Sequence, residues 1–324
     1  MSRVARCVWV FVVGSALALA ATAHAQTYPT RPIRLIVSFA PGAGADVIAR
    51  LVAPRITDSL GQQVIVDNRT GAGGIVGSDI VAKAAPDGHT VILAINSHAI
   101  NASLYSKLPY DTRKDFAPVT LVASGPLVLA VNPNLPANTV KDLIGYVKSK
   151  PGQLSYASAG VGTPTHLAGE LLKTMAGIDM AHVPYKGGPP TMAAVVAGEV
   201  LLFFSGTAVA LPTIKAGRIK ALGVTSKARS PLLPGTPTMA ESGLQGYDVE
   251  IWYGLLAPGA TPRSIVGRLH AEFTRALQVP EVRERLTALG LEPIGSTPAQ
   301  FGAYLNAEIL KWEKVVKASG ARAD

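Results

Sequence analysis

The sequence predicts an α/β fold of two lobes with a ligand cleft between them. Three observations carry that expectation. Strand and helix patterns alternate from residue 33 onward, as mostly parallel sheets with helices on their faces require. The 324-residue chain, once an N-terminal leader is removed, leaves about 300 residues, more than a single core usually accommodates. The alternation also dissolves in two proline-punctuated segments, 108–118 and 230–237, as it would where a chain leaves one lobe and returns. Residues 26–124 and 248–324 are therefore expected to form a discontinuous first lobe, and residues 125–247 an inserted second lobe.

Taken in order, Ile33 to Phe39 reads as a buried strand, Asp46 to Ser59 as a helix and Gln63 to Asp67 as the second strand. Gly74 to Ala84 reads as a helix, Pro86-Asp87-Gly88 as a turn and Thr90 to Ile95 as the third strand. The first crossover between lobes is expected near Ser124, before the apolar stretch Leu127 to Val131. In the second block Thr139 to Lys150, Pro164 to Met175 and Thr191 to Ala197 read as helices. Leu154 to Ala157, His182 to Tyr185, Leu201 to Phe204 and Ile219 to Thr225 read as strands. Three amphipathic helices, near Pro262 to Leu277, Val282 to Leu289 and Pro298 to Ser319, are expected to pack back on the first lobe.

The amino terminus has the pattern of an export signal. Arg3 and Arg6 precede an apolar run from Cys7 to Ala21, and Ala23-His24-Ala25 offers the small-x-small pattern of a cleavage site. Residues 1–25 are thus expected to be a signal peptide that directs the chain to the periplasm, with the mature protein starting at Gln26. The arginines are not paired, which points to the route that exports unfolded chains and disfavours a preloaded cofactor. Cys7 is the only cysteine, so the mature chain has no thiol for a disulfide, a cluster or a nucleophile. Removing the leader takes the formal charge from +9 to +7. The basic residues are dispersed and not interleaved with aromatics, which argues against nucleic acid and for a mild bias toward anions.

Two glycine turns are the informative chemistry. In Phe39-Ala40-Pro41-Gly42-Ala43-Gly44-Ala45-Asp46 a strand passes through a turn into a helix whose first residue, Asp46, is placed to cap it. Such a turn aims backbone N–H groups at one point, with the positive end of a helix dipole behind them, which suits a carboxylate or phosphate. Ser155 to Pro164 repeats the arrangement, with Ser158 as a hydroxyl donor, Gly160 and Gly162 in the turn, Thr163 as N-cap and Pro164 at the first helical position. One turn in each lobe would let two helix ends face one anion. Asn68 to Gly74 is either another donor-rich loop or a structural turn. Ser97 follows the third strand, where ligands meet the strand ends of open sheets, or else caps a helix.

A dinucleotide fold is the competing reading, since a strand, Gly42-x-Gly44, a helix and a strand ending in Asp67 imitate its fingerprint. The third glycine of that fingerprint falls on Val47, whose branched side chain would block the close helix-to-strand contact. The sequence has no Gly-x-Ser-x-Gly, no His-Glu-x-x-His and no Gly-Lys-Ser/Thr phosphate loop. His89, His98, His166 and His182 are too scattered to indicate a metal site and read as structural histidines. No catalytic residue, metal or cofactor is expected.

The motifs together resemble the periplasmic solute receptors of tripartite tricarboxylate transporters, also called Bug-type receptors. The resemblance rests on Tyr28-Pro29-x-Arg31-Pro32-Ile33, Phe39-x-Pro41-Gly42-x-Gly44-x-Asp46, Asp67-Asn68-Arg69-x-Gly71-Ala72-Gly73-Gly74 and Ala85-Pro86-Asp87-Gly88. It continues through His98-Ala99-Ile100-Asn101, Leu108-Pro109-Tyr110-Asp111, Gly162-Thr163-x-x-His166-Leu167 and Val183-Pro184-Tyr185-Lys186-Gly187. The resemblance implies a type II periplasmic-binding-protein fold that closes on a small organic carboxylate and serves membrane permease subunits, as a monomer and without a cofactor. It implies ligand contacts from Phe39, Gly42, Ala43, Gly44, Ala45, Asp46 and Ser97 on one side. On the other side it implies Ser158, Gly162, Thr163 and Ser205. Where many relatives have Phe-Asp this chain has Phe204-Ser205, so the far end of the ligand is expected to be read differently. A receptor that reports to a membrane sensor kinase is the alternative role.

Overall fold

The computed structural model describes residues 28–323. The expected leader, residues 1–25, lies outside the described residues. Residues Arg31–Asp324 form one compact unit. Its first stretch follows the sequence pattern, with β1 (Ile33–Val37), α1 (Gly44–Leu60), β2 (Val64–Asn68), a 3-10 turn at Ala72–Gly74, α2 (Ile75–Ala82), β3 (Thr90–Ile95) and α3 (Ser97–Leu104). There follow β4 (Phe116–Val131), α4 (Val140–Lys148), β5 (Ser155–Ser158), α5 (Pro164–Ala176), β6 (Ala181–Pro184), α6 (Gly188–Ala197), β7 (Leu202–Gly206), α7 (Thr207–Lys215) and β8 (Lys220–Val224). The chain closes with β9 (Glu250–Pro258), α8 (Arg263–Gln278), α9 (Pro280–Ala288), β10 (Glu292–Pro293) and α10 (Pro298–Ser319).

The strands run in the order β2-β1-β3-β9-β4-β7-β5-β6, with β8 and β10 also paired to β4. The expectation of mostly parallel sheets is corrected here. β1 pairs parallel with β2 and β3, and β5 with β6 and β7. Every pairing of β4 and β9 is antiparallel. The cause is β4, a 16-residue strand whose apolar end Leu127 to Val131 was visible in the sequence. From Phe116 to Pro126 it pairs with β9, and from Leu127 it lies between β7 and β8. Two α/β lobes, each built around its own parallel strands, are thus joined through one continuous strand. Such a connection is stiff along the strand and bends at its register shifts, which fall at Pro118/Thr120 and Leu121/Ala123.

β9 and α7 were absent from the sequence reading as elements, and α3 stood there only as the helix that Ser97 was offered to cap. β9 interleaves between β3 and β4 and carries Trp252, which is fully buried against Phe301 and Tyr304 of α10. Trp252 and Trp312 both donate their indole N–H to the buried carboxylate of Glu308, at 3.0 and 2.9 Å, and Lys311 neutralises it. An unpaired buried carboxylate would cost several kcal/mol, so this pairing is what allows an acid inside the core. α10 starts with a capping box, Thr297 with Gln300, and Pro298 in its first turn. It packs on α3 and β4 as expected, and also against α5.

Candidate functional site

The first glycine turn leaves its helix donors open. β1 ends at Val37, and Ala43, in extended conformation, is the N-cap of α1. Asp46 is therefore the third helical residue and not the cap. From there its carboxylate reaches back to accept the N–H of Gly42 at 2.8 Å, and it also accepts from Arg50 Nε and from Asn68 Nδ2, each at 3.0 Å. Asn68 binds the carbonyl of Phe39 as well. Burial pushes the Asp46 carboxyl upward, but the bonds from Arg50, Gly42 and Asn68 outweigh it and hold the group below the usual carboxylate value. The Asp46 side chain thus braces the turn, and it occupies the Gly42 N–H. Among the described residues, the N–H groups of Gly44, Ala45 and Asp46 have no acceptor, as the first turn of any helix leaves them. Pro41, Gly42 and Gly44 are exposed.

One aromatic residue that the sequence reading did not single out meets this turn. Tyr253 of β9 lies so close that a Cβ added to Gly44 would overlap its hydroxyl oxygen and stand 3.1 Å from its Cζ. Glycine is required at 44 for that approach. The signal for β9 was present as the apolar run Ile251 to Ala257. Which turn it would face was not legible.

The second turn has the opposite character. Thr163 is the N-cap of α5 and Pro164 occupies its first turn, as the sequence indicated. Its hydroxyl donates to the Gly160 carbonyl at 2.7 Å, lies 2.8 Å from Thr165 Oγ1 and accepts the His166 N–H. Ala159 N–H goes to Thr165 Oγ1, Gly160 N–H to Ser158 Oγ, and Gly162 N–H to His166 Nδ1. Ser158 Oγ lies 2.7 Å from His182 Nε2, and the rings of His166 and His182 stack at 4.0 Å. Tyr156 donates to Glu170 beneath them at 2.5 Å. Both histidines are kept neutral. Burial lowers His166 to about 4, with Lys173 adding to it, and burial with the neighbouring His166 lowers His182 to about 3. Ser158, Gly162 and Thr163 are buried, and their polar groups are bound to each other.

Ser97 begins α3 behind Asn96 and donates to the carbonyl of Gly162 at 2.9 Å. This bond ties the strand ends of the first lobe to the second turn. Gly162, at φ +74°, fits there because a Cβ would stand 2.9 Å from Leu104 and 3.1 Å from Asn101. Gly73 and Gly74 fill the space between, Gly74 beside Phe39 and Gly73 beside the Val161 carbonyl. The structure thus brings Ser97 to Gly162, and Phe39 to the loop at residues 71–74. Ser205 is fully buried at the end of β7 and donates to the adjacent Gly206 carbonyl, with no recorded bond to the other candidates among the described residues. No group of three metal-ligating side chains occurs among the described residues. No described helix is long and apolar enough to cross a membrane.

The family model described as tripartite tricarboxylate transporter family receptor matches residues 48–321. The chain belongs to that receptor family. Protein BugT of Bordetella pertussis is 37% identical over 324 residues, 99% of each chain. Among solved structures, R. palustris Rpa4515 with adipate is 37% identical with a TM-score of 0.84, covering 91% of this receptor and 99% of that chain. MatC from Rhodopseudomonas palustris with bound malate is 36% identical with a TM-score of 0.82, covering 89% and 100%. The two-lobed fold and the role of solute receptor, not enzyme, follow from this membership.

Proposed function

We propose that the receptor captures a small organic carboxylate in the periplasm, as a monomer, and delivers it to the permease subunits of a tripartite transporter. The observation that carries the reading is the exposed start of α1, where three adjacent N–H groups converge without acceptors while a braced carboxylate holds the turn in shape. A carboxylate accepts several hydrogen bonds and gains from the helix dipole, so it fits that position. The adipate and malate in the structures of relatives support the ligand class. In this reading Gly44, Ala45 and Asp46 grip through the backbone, and Phe39, Gly42 and Ala43 shape the grip. Ser97, Ser158, Gly162 and Thr163 form the opposing wall, and Ser205 shapes the far end. The lobes divide at residues 26–124 with 248–324, and 125–247, and close by bending of β4 and β9.

Titration calorimetry of the mature protein with C4 to C6 dicarboxylates, acidic amino acids, aromatic acids and a neutral hexose tests the proposal. Saturable binding of at least one carboxylate is expected. Binding of the hexose with no response to any acid would overturn it.

A further inference from the structure

We propose that Tyr253 is a ligand-contact residue, and that its hydroxyl donates to the same carboxylate group that the N–H groups of Gly44, Ala45 and Asp46 receive. The inference rests on the carboxylate reading above and adds to it a side-chain donor supplied by β9.

Tyr253 is only 5% exposed, yet its hydroxyl makes no hydrogen bond among the described residues and is not sealed from solvent. That combination is unusual, because buried polar groups almost always find a partner. Two of the other buried phenols do so here. Tyr156 reaches Glu170 and the His166 carbonyl, and Tyr247 reaches the Ala168 carbonyl at 2.7 Å. The Tyr253 hydroxyl instead stands over Gly44, where the open donors of α1 begin. A phenol donor and three amide donors at one place have no acceptor in common among the described residues, and an acceptor-only anion completes them.

The strand makes the placement rigid. Tyr253 pairs with Ile95 of β3 and with Ala123 of β4, so it lies in the middle of the sheet and at the end of β3 that leads into Ser97. Its neighbours Trp252 and Gly254 point to the face covered by Phe301, and alternation along the strand turns Tyr253 to the other face, toward α1. Burial raises the phenol well above its ordinary value, which keeps it a neutral donor.

The test compares wild type with Tyr253→Phe, Gly44→Ala and the double variant, titrated with succinate, glutarate and adipate and followed by thermal melting. Tyr253→Phe is expected to melt no lower than wild type without ligand, since it removes an unpaired hydroxyl. Its affinity for the dicarboxylate that binds wild type should fall about 10- to 100-fold, the effect of losing one hydrogen bond to a charged group. Gly44→Ala should also weaken binding, because the new methyl displaces the phenol. The double variant should lose much less than the product of the two single effects. Wild-type affinity in Tyr253→Phe, or independent effects in the double variant, would overturn the role of Tyr253 and leave the carboxylate reading standing. A wild type that binds none of the three acids overturns both.

Discussion

The two glycine turns read alike in sequence and differ in the molecule. The first is exposed, leaves three N–H groups without acceptors and is held from behind by Asp46, Asn68 and Arg50. The second is buried and consumes its own donors, through Thr163, Thr165, Ser158 and His166. The same strand-glycine-helix grammar thus yields one turn poised to take an outside acceptor and one that serves as a rigid wall. What separates them is the supply of side-chain acceptors within a few residues. Ser158, Thr163, Thr165 and His166 crowd the second turn, whereas Ala40, Ala43 and Ala45 leave the first bare.

Acid breaks this comparison most strongly. His166 and His182 titrate near 6.5 when unfolded and are held at about 4 and about 3 in the fold. His98, packed between Tyr110 and Phe116, is likewise lowered by burial to about 4. Between pH 6.5 and 4 the unfolded chain therefore binds protons that the native chain refuses, and stability must fall as pH falls through that window. For one buried histidine the ceiling is on the order of 3 kcal/mol. Denaturant melts from pH 7 to 4.5 are expected to show the loss, and His182→Gln, which keeps a hydrogen-bonding partner for Ser158, should flatten the slope. A slope unchanged in that variant would remove His182 as its source.

A cut into the hydrogen bonds themselves comes next in size. Thr163→Val keeps shape but removes the N-cap acceptor of the His166 N–H and the hydroxyl's bonds to the Gly160 carbonyl and Thr165, so a loss of about 2 kcal/mol in denaturant melts is expected. Because those groups face each other, affinity measured below the melting transition's onset should change less than stability does. A variant as stable as wild type would mean that the hydroxyl is dispensable to the turn.

How far these differences were legible depends on the range of the interactions. The turns themselves were readable because glycine, cap and proline signals act within a few residues, and Thr163 with Pro164 is such a case. The role of Asp46 was not, since it depends on Asn68 arriving from β2. The meeting of His166 and His182 required the β5 and β6 pairing to bring separate segments together. β9 was passed over because a continuous apolar run after a hinge segment does not by itself distinguish strand from helix. α7 was passed over because Gly206 and Pro212 interrupt its pattern. With β9 unrecognised, Tyr253 had no place beside Gly44, and the first turn looked like backbone alone.

The smallest expected effect sharpens the contrast from the side of the first turn. Asp46→Asn keeps an acceptor for Gly42 but loses the charge that Arg50 meets, and Arg50 is half exposed, so the pair is partly screened by water. A stability loss of about 1 kcal/mol at pH 7 is the expectation. The sign of its pH dependence is the same as that of the histidines, but its window lies lower. The native Asp46 carboxyl lies below its ordinary value of 3.8, so its contribution is present in full above that value and disappears as pH falls through the native one. Wild type and Asp46→Asn should therefore differ by a constant amount from pH 7 down to about 5 and converge below pH 3.8. Convergence already between pH 6.5 and 4 would assign the brace to a histidine-linked group, and the separation of the two turns by their chemistry would fail.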